Sequence, residues 1–195
     1  EKELVEFLDN EINAGLIFRM DYPYKYGIFL WTRSIYEIQG ILIKIKRKLG
    51  KSLIKYNHSI INTFRQYPKD YLFDKNHHQK FRSLEPNNMI SYDENDFKIL
   101  EMLSINARLS TVKLADKIKI PQTTIFSKLK NLEKKKIIQG YRAEINFTKL
   151  GYTNYFLEIY LDENKNLRQI ENWANLHKKV MWLQKIIGTC DIEIE

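Results

Sequence analysis

The sequence predicts an α+β protein in which a compact three-helix segment stands between two helix-and-hairpin units. Three observations carry this. Apolar residues recur at helical spacing in three closely set stretches between 94 and 135, followed by a strand-like stretch. Helix, strand, turn, strand is legible at 3–31 and again at 167–195. A polar segment without apolar periodicity, 75–92, separates the first unit from the rest. The chain has 195 residues, of which 44% are hydrophobic and 13% aromatic, enough for real cores and incompatible with a wholly disordered chain.

Taken in order, Leu4, Val5 and Leu8 share a helical face, Leu16–Met20 and Ile28–Trp31 read as strands, and Asp21–Gly27 carries turn chemistry. Ser34 and Glu37 form a capping-box pattern ahead of Ile38, Ile41, Ile45 and Leu49, and Gly50 is placed to end that helix. Residues 53–64 supply a strand that would close a first α/β domain over 1–74, expected to have no chemistry of its own. Residues 75–92 read as a linker. In the central segment, 93–145, Ser91 and Asp93 compete to cap a helix lined by Phe97, Leu100 and Leu103, with Ile99 and Met102. Ser110 caps a second that buries Leu114, Ala115 and Ile118. Pro121 opens a third, which turns Ile125, Leu129 and Leu132 inward with Phe126 beside them. Ile137–Ile145 has strand composition, with Gly140 as a turn or bulge. Residues 146–195 read as strand, helix and two strands: a strand around 155–161, a helix over roughly 166–179 burying Leu167, Ile170 and Ala174, and strands at 180–187 and 192–195.

Shifting the chain by 164 or 165 places Val5 and Leu8 on Ile170 and Trp173, and Ile28 and Leu30 on Ile192 and Ile194. The expectation is a broken tandem repeat, its first copy without an opening strand and its second without a closing helix and strand. With Glu rather than Met at residue 1, the chain reads as a piece of a longer protein cut at both ends.

Charge and composition narrow the function. Lys plus Arg number 32 against 24 Asp plus Glu, a net charge of +8. Residues 112–142 hold nine of the cations and two of the anions, the densest basic stretch in the chain. Such a run signals nucleic acid only where the fold gathers it on one surface. The apolar runs fall far short of the ~20 residues a bilayer span requires. The lone Cys190 rules out a disulfide framework within the chain and fits a reducing cytoplasm. His77 and His78 have no Cys or carboxylate at metal spacing, and His58 and His177 are isolated. No phosphate loop or catalytic constellation is present, so the expectation is a protein that is not an enzyme, without a bound cofactor or metal.

Three helices with a short turn between the second and third, then a strand pair, make a winged helix-turn-helix. In that geometry the second helix crosses the DNA backbone and the third lies in the major groove. The outward face of the third helix offers Gln122, Thr123, Ser127, Lys128, Lys130, Asn131 and Lys134. Gln and Asn pair with adenine edges, Thr and Ser meet a thymine methyl or a phosphate, and the lysines hold phosphates. Lys135, Lys136 and Arg142 are candidates for flanking backbone.

These residues give the resemblance its detail. Asp96-Phe-Lys-Ile-Leu100, Asn106-Ala-Arg-Leu-Ser110, Leu114-Ala115, Ile120, Thr124, Leu129, Leu132-Glu133 and Ile137-Ile-Gln-Gly-Tyr141 resemble the DNA-binding half of the Lrp/AsnC regulators. Asn146–Tyr152 and the segments beyond are similar to the start of that family's ferredoxin-like effector domain, of RAM type. The resemblance implies a winged helix-turn-helix joined to incomplete ferredoxin-like domains. It also implies double-stranded DNA as partner, a homo-oligomer or intrachain pseudo-dimer, no membrane association, and a small effector such as an amino acid. Gln122, Thr123, Thr124, Ser127, Lys128, Lys130, Asn131, Lys134 and Arg142 form the implied DNA-binding set. Two departures stand out: Lys119 and Lys136 occupy places where the family usually has glycine, at the helix-turn-helix bend and before the wing, and any positive φ there costs more for lysine. Gly188-Thr-Cys-Asp191 fits the family's Gly-x-x-Asp effector loop loosely, and Asp21–Gly27 does not. Two alternatives share the architecture. One is a siroheme-decarboxylase-like enzyme, whose basic, histidine-bearing motif after the wing is not evident at Arg142–Asn146. The other is a winged helix that contacts protein.

Overall fold

The computed structural model describes residues 2–10, 12, 14–20, 24–68, 72, 82–84, 89–143, 145–162 and 166–195. The chain divides into two compact units, 1–58 and 59–195.

The first unit is built from α1 (Lys2–Asn10), the antiparallel pair β1 (Leu16–Arg19) and β2 (Tyr26–Phe29), and α2 (Ile35–Leu49). Phe7, Leu8, Ile12 and Ile45 form its core, with Ile17, Ile28, Ile41 and Leu49 packed against them. These are residues the apolar spacing selects. Ser34 caps α2 by accepting from the Glu37 N–H, but the Glu37 carboxylate reaches past Ser34 to the Arg33 N–H at 2.7 Å. Gly50 ends the helix at φ 50°.

The second unit holds a five-stranded antiparallel sheet ordered β4-β3-β6-β7-β5. Its strands are β3 (Ile60–Gln66), β4 (Arg82–Leu84), β5 (Leu157–Ile159), β6 (Trp182–Ile187) and β7 (Ile192–Ile194). The sheet corrects the expected domain boundary at 74. Residues 60–66, assigned by composition to the first domain, pair along their length with β6, from Ile60 opposite Ile187 to Gln66 opposite Trp182, with an irregularity between Ile61 and Thr63. A strand's alternation shows which face it buries, not which neighbour completes its hydrogen bonds. Within the expected linker, 82–84 is a strand on β3, while 75–81 and 85–88 lie outside the described residues.

Helix α6 (Leu167–Leu176) covers one face of this sheet, its Ala174 forming a core with Tyr67, Val180, Leu183, Ile192 and Ile194. Glu171 on α6 anchors it, with Lys185 Nζ at 2.6 Å and Arg65 Nη2 at 3.4 Å. Helix-then-hairpin recurs as α1-β1-β2 and α6-β6-β7. The expected equivalence of Leu8 with Trp173 does not hold: Leu8 is sealed, whereas Trp173 is half exposed beside His177 and Ala174 takes the buried place.

Between β4 and β5 in sequence stand α3 (Glu94–Ile105), α4 (Thr111–Ile118) and α5 (Gln122–Lys134). Ile99, Leu114, Ile125 and Leu132 are almost wholly buried at their centre. Phe97, expected to line this core, lies outside it against Tyr92. Asp93, not Ser91, caps α3: its carboxylate accepts from the Asp96 N–H at 2.8 Å, and Asp96 accepts from the Asp93 N–H at 3.0 Å. Ser110 caps α4 as its position predicts. The strand expected over 137–145 is not formed among the described residues. The Ile137 and Ile138 N–H groups instead fold back onto the Leu132 carbonyl, while Gln139 donates to the Ser83 carbonyl and Arg142 to the Tyr67 carbonyl.

Candidate nucleic-acid interface

Helix α5 sorts its residues by angle. At about 100° per residue, Ile125, Leu129 and Leu132 fall on one stripe, facing α3 and α4. Thr123, Ser127, Lys130, Asn131 and Lys134 point the other way and are exposed. The turn into α5 places Lys119 at φ 63°, and the turn out of it places Lys136 at φ 56°. Both bends therefore adopt the left-handed backbone that glycine accepts most readily, and lysine occupies each.

Not every expected contact residue is free to reach a ligand. Lys128 is turned inward, its Nζ 2.5 Å from an Asp93 oxygen and 3.0 Å from an Asp96 oxygen; its side chain is 18% exposed and that of Asp96 9%. Burial alone would lower the Lys128 pKa, but the two carboxylates outweigh it and the net shift is upward. Lys128 hydrogen bonding in turn holds Asp93 below the ordinary carboxylate range. Lys128 lies about 300° around α5 from Ile125, on the flank beside the α3 N-terminus, so it pins the helix. Arg142 is likewise held by the sheet, 3.3 Å from the Tyr67 carbonyl, and burial and the nearby Arg82 pull it below its usual value.

Gln122 spans to α4, its amide donating to Thr111 Oγ1 at 3.0 Å. Ser127 donates to its own helix at the Thr124 carbonyl, 2.9 Å away. Thr124 is half-buried. Thr123, Asn131 and Lys134 stand outward in solvent, and Lys130 lies over the Phe126 ring at 4.5 Å. Phe126 itself, expected beside the core, is 53% exposed. The helical-wheel angle could have shown this, since Phe126 sits about 100° from Ile125. The Asp93–Asp96–Lys128 cluster had no such signal, because 32 residues separate Lys128 from Asp96.

Elsewhere the described residues hold no cluster of His, Cys, Asp and Glu able to bind a metal, and no helix long and apolar enough to cross a membrane. Cys190 is buried; burial and Glu193 push its thiol up to about 11, so it stays protonated near neutrality. In the Gly188–Asp191 loop, the Asp191 carboxylate accepts from the Leu161 N–H at 2.7 Å. His77 and His78 lie outside the described residues.

A family described as winged helix-turn-helix DNA-binding matches residues 92–139. The uncharacterized HTH-type transcriptional regulator PF1734 of Pyrococcus furiosus is 33% identical over 100 residues, covering 51% of this chain and 68% of that one. The HTH-type transcriptional regulator LrpA of Pyrococcus horikoshii is 46% identical over 61 residues, 31% of this chain and 43% of that one. The crystal structure of PH0061 aligns over 54% of this chain and 72% of its own, with a TM-score of 0.51 and 24% identity, a likeness of fold. These relatives are named as regulators, which leaves the decarboxylase-like alternative without support. A basic three-helix head with an outward polar stripe, joined to an α/β sheet and set beside these relatives, places the chain in the Lrp/AsnC family of transcriptional regulators.

Proposed function

We propose that this regulator binds duplex DNA with sequence preference, with α5 in the major groove and α4 across the phosphate backbone. One observation carries the reading: α5 seals Ile125 and Leu132 inside while Thr123, Asn131 and Lys134 stand outward, on the most cationic stretch of the chain. Thr123 and Asn131 read base edges in this scheme, and Lys134, Lys130, Lys113 and Lys117 hold phosphates. Gln122 and Lys128 brace α5 rather than touch DNA. The recurrence of helix and hairpin supports a homo-oligomer or an intrachain pseudo-dimer, with DNA half-sites about 34 Å apart. The reading places the chain in the cytoplasm and includes a small effector such as an amino acid, without assigning residues to it.

The test is selection of bound fragments from random duplex DNA, followed by salt titration. Log K falls with log salt at a slope of about −0.9 per phosphate neutralised. Asn131→Ala costs ~1–3 kcal/mol at particular base pairs, while Lys134→Ala weakens all sequences alike and reduces the slope by about one. Binding that ignores salt, or no duplex recovered, overturns the proposal and favours a winged helix that contacts protein.

A further inference from the structure

Phe126 is the one large apolar side chain on the outer half of α5, and it is 53% exposed. Thr123, Phe126, Lys130 and Lys134 follow one another at i, i+3, i+7 and i+11, so they form a single stripe along the helix. Lys130 lies over the ring, its Nζ 4.5 Å from the centroid, covering one aromatic face and leaving the rest of the ring in solvent. Neighbouring polar groups are engaged within the head: Gln122 on Thr111, Ser127 on the Thr124 carbonyl, and Lys128 on Asp93 and Asp96. Between Thr123 and Lys130 this stripe therefore presents the Phe126 ring, an apolar surface among polar neighbours.

We propose that Phe126, oriented by the Lys130 side chain stacked on it, is a specificity-determining residue that contacts the 5-methyl group of a thymine. Resting on the DNA-binding reading above, this names what one position of α5 recognises. The thymine methyl is the apolar group that base pairs display in the major groove, and phenylalanine is among the side chains able to pack on it. A phenyl ring held in solvent gains by leaving water against such a group. Uracil and cytosine lack the methyl, so the contact tells thymine from cytosine without a hydrogen bond.

The experiment uses the full chain and a duplex recovered by selection. Each thymine in the bound site is replaced singly by deoxyuridine, which removes the methyl and leaves pairing intact. The expected result is a loss of about fourfold in affinity at one thymine per head, the size of one methyl withdrawn from apolar contact. Phe126→Ser abolishes that difference, and Phe126→Leu retains part of it. Because Phe126 lies outside the buried core, both variants keep the fold, checked by unchanged thermal unfolding. Recovered DNA whose affinity is indifferent to every uridine, or loses the same in wild type and Phe126→Ser, overturns the inference and leaves DNA binding standing. Failure to recover any duplex overturns both.

Discussion

Replacing Lys128 with methionine separates two roles that the same residue could have. As a phosphate contact, its loss would leave stability untouched and lower the salt slope of DNA binding by about one. The structure makes it a brace. Its ammonium lies 2.5 Å from Asp93 and 3.0 Å from Asp96, whose side chain is only 9% exposed. Removing one partner of a fully buried pair costs about 3–5 kcal/mol, and here water reaches the Asp93 end, so about 2 kcal/mol is expected. Hydrogen exchange of the α3 and α5 amides reads this locally, with protection falling by a factor of about 30. The salt slope stays unchanged. Asp96→Asn in the same chain keeps the acceptor for the Asp93 N–H, removes the stranded charge, and restores most of the loss. Acid sensitivity follows the same logic. Asp93 titrates below the ordinary carboxylate range, so its pairing stabilises the fold above that range and fades as pH falls through the lowered value. Lys128→Met weakens that dependence and leaves the part that comes from the Asp96 N–H. Unchanged protection together with a salt slope lowered by one would refute the bracing argument.

Other predictions address the turns and the sheet. Lys119→Gly and Lys136→Gly each stabilise the head by about 0.5–1 kcal/mol, the left-handed penalty less the chain entropy glycine adds; urea midpoints check this. Glu193 is buried opposite Glu158, and burial first, then Glu158, raise its carboxyl to about 7. The folded chain therefore binds the proton more tightly than the unfolded one, so stability declines as pH rises from about 4.5 to 7, by up to about 3 kcal/mol. Glu193→Gln flattens that profile in pH-dependent urea melts. Glu171→Gln frees α6 from Lys185 and Arg65 and lowers stability by about 2 kcal/mol, read by near-ultraviolet circular dichroism during unfolding.

Elements governed by local chemistry were legible in the sequence. Ser34, Gly50 and Ser110 mark helix ends where they stand, and the inward stripe of α5 follows from spacing alone. Lysine at both bends predicted a backbone cost, and both bends have positive φ. Pairings between distant parts were not legible. Nothing in the composition of 60–66 distinguishes a partner strand in the first unit from β6, since apolar strands stand in both. The candidate interface divided in the same way. The outward direction of Thr123, Asn131 and Lys134 came from angle, whereas the capture of Lys128 and Arg142 depended on carboxylates and a carbonyl that only the folded chain brings near. A segment rich in Ile and Tyr, 137–145, joins no sheet among the described residues, and its Gln139 and Arg142 side chains reach the Ser83 and Tyr67 carbonyls instead.

The order β4-β3-β6-β7-β5 has a consequence for how the helical head is carried. Its chain leaves the sheet at one margin, β4, and returns at the opposite margin, β5, about 19 Å away across four strand spacings. A domain hung from a single tether would swivel freely, but one bridled at both margins has its excursions limited by two leads. Assembly feels the same constraint: β3 meets β6 only by closing a loop of about 120 residues, an entropic toll that contacts within the head do not bear. The head should therefore gather early from its own neighbours, and zipping of β3 onto β6 should be the late, rate-setting event in folding.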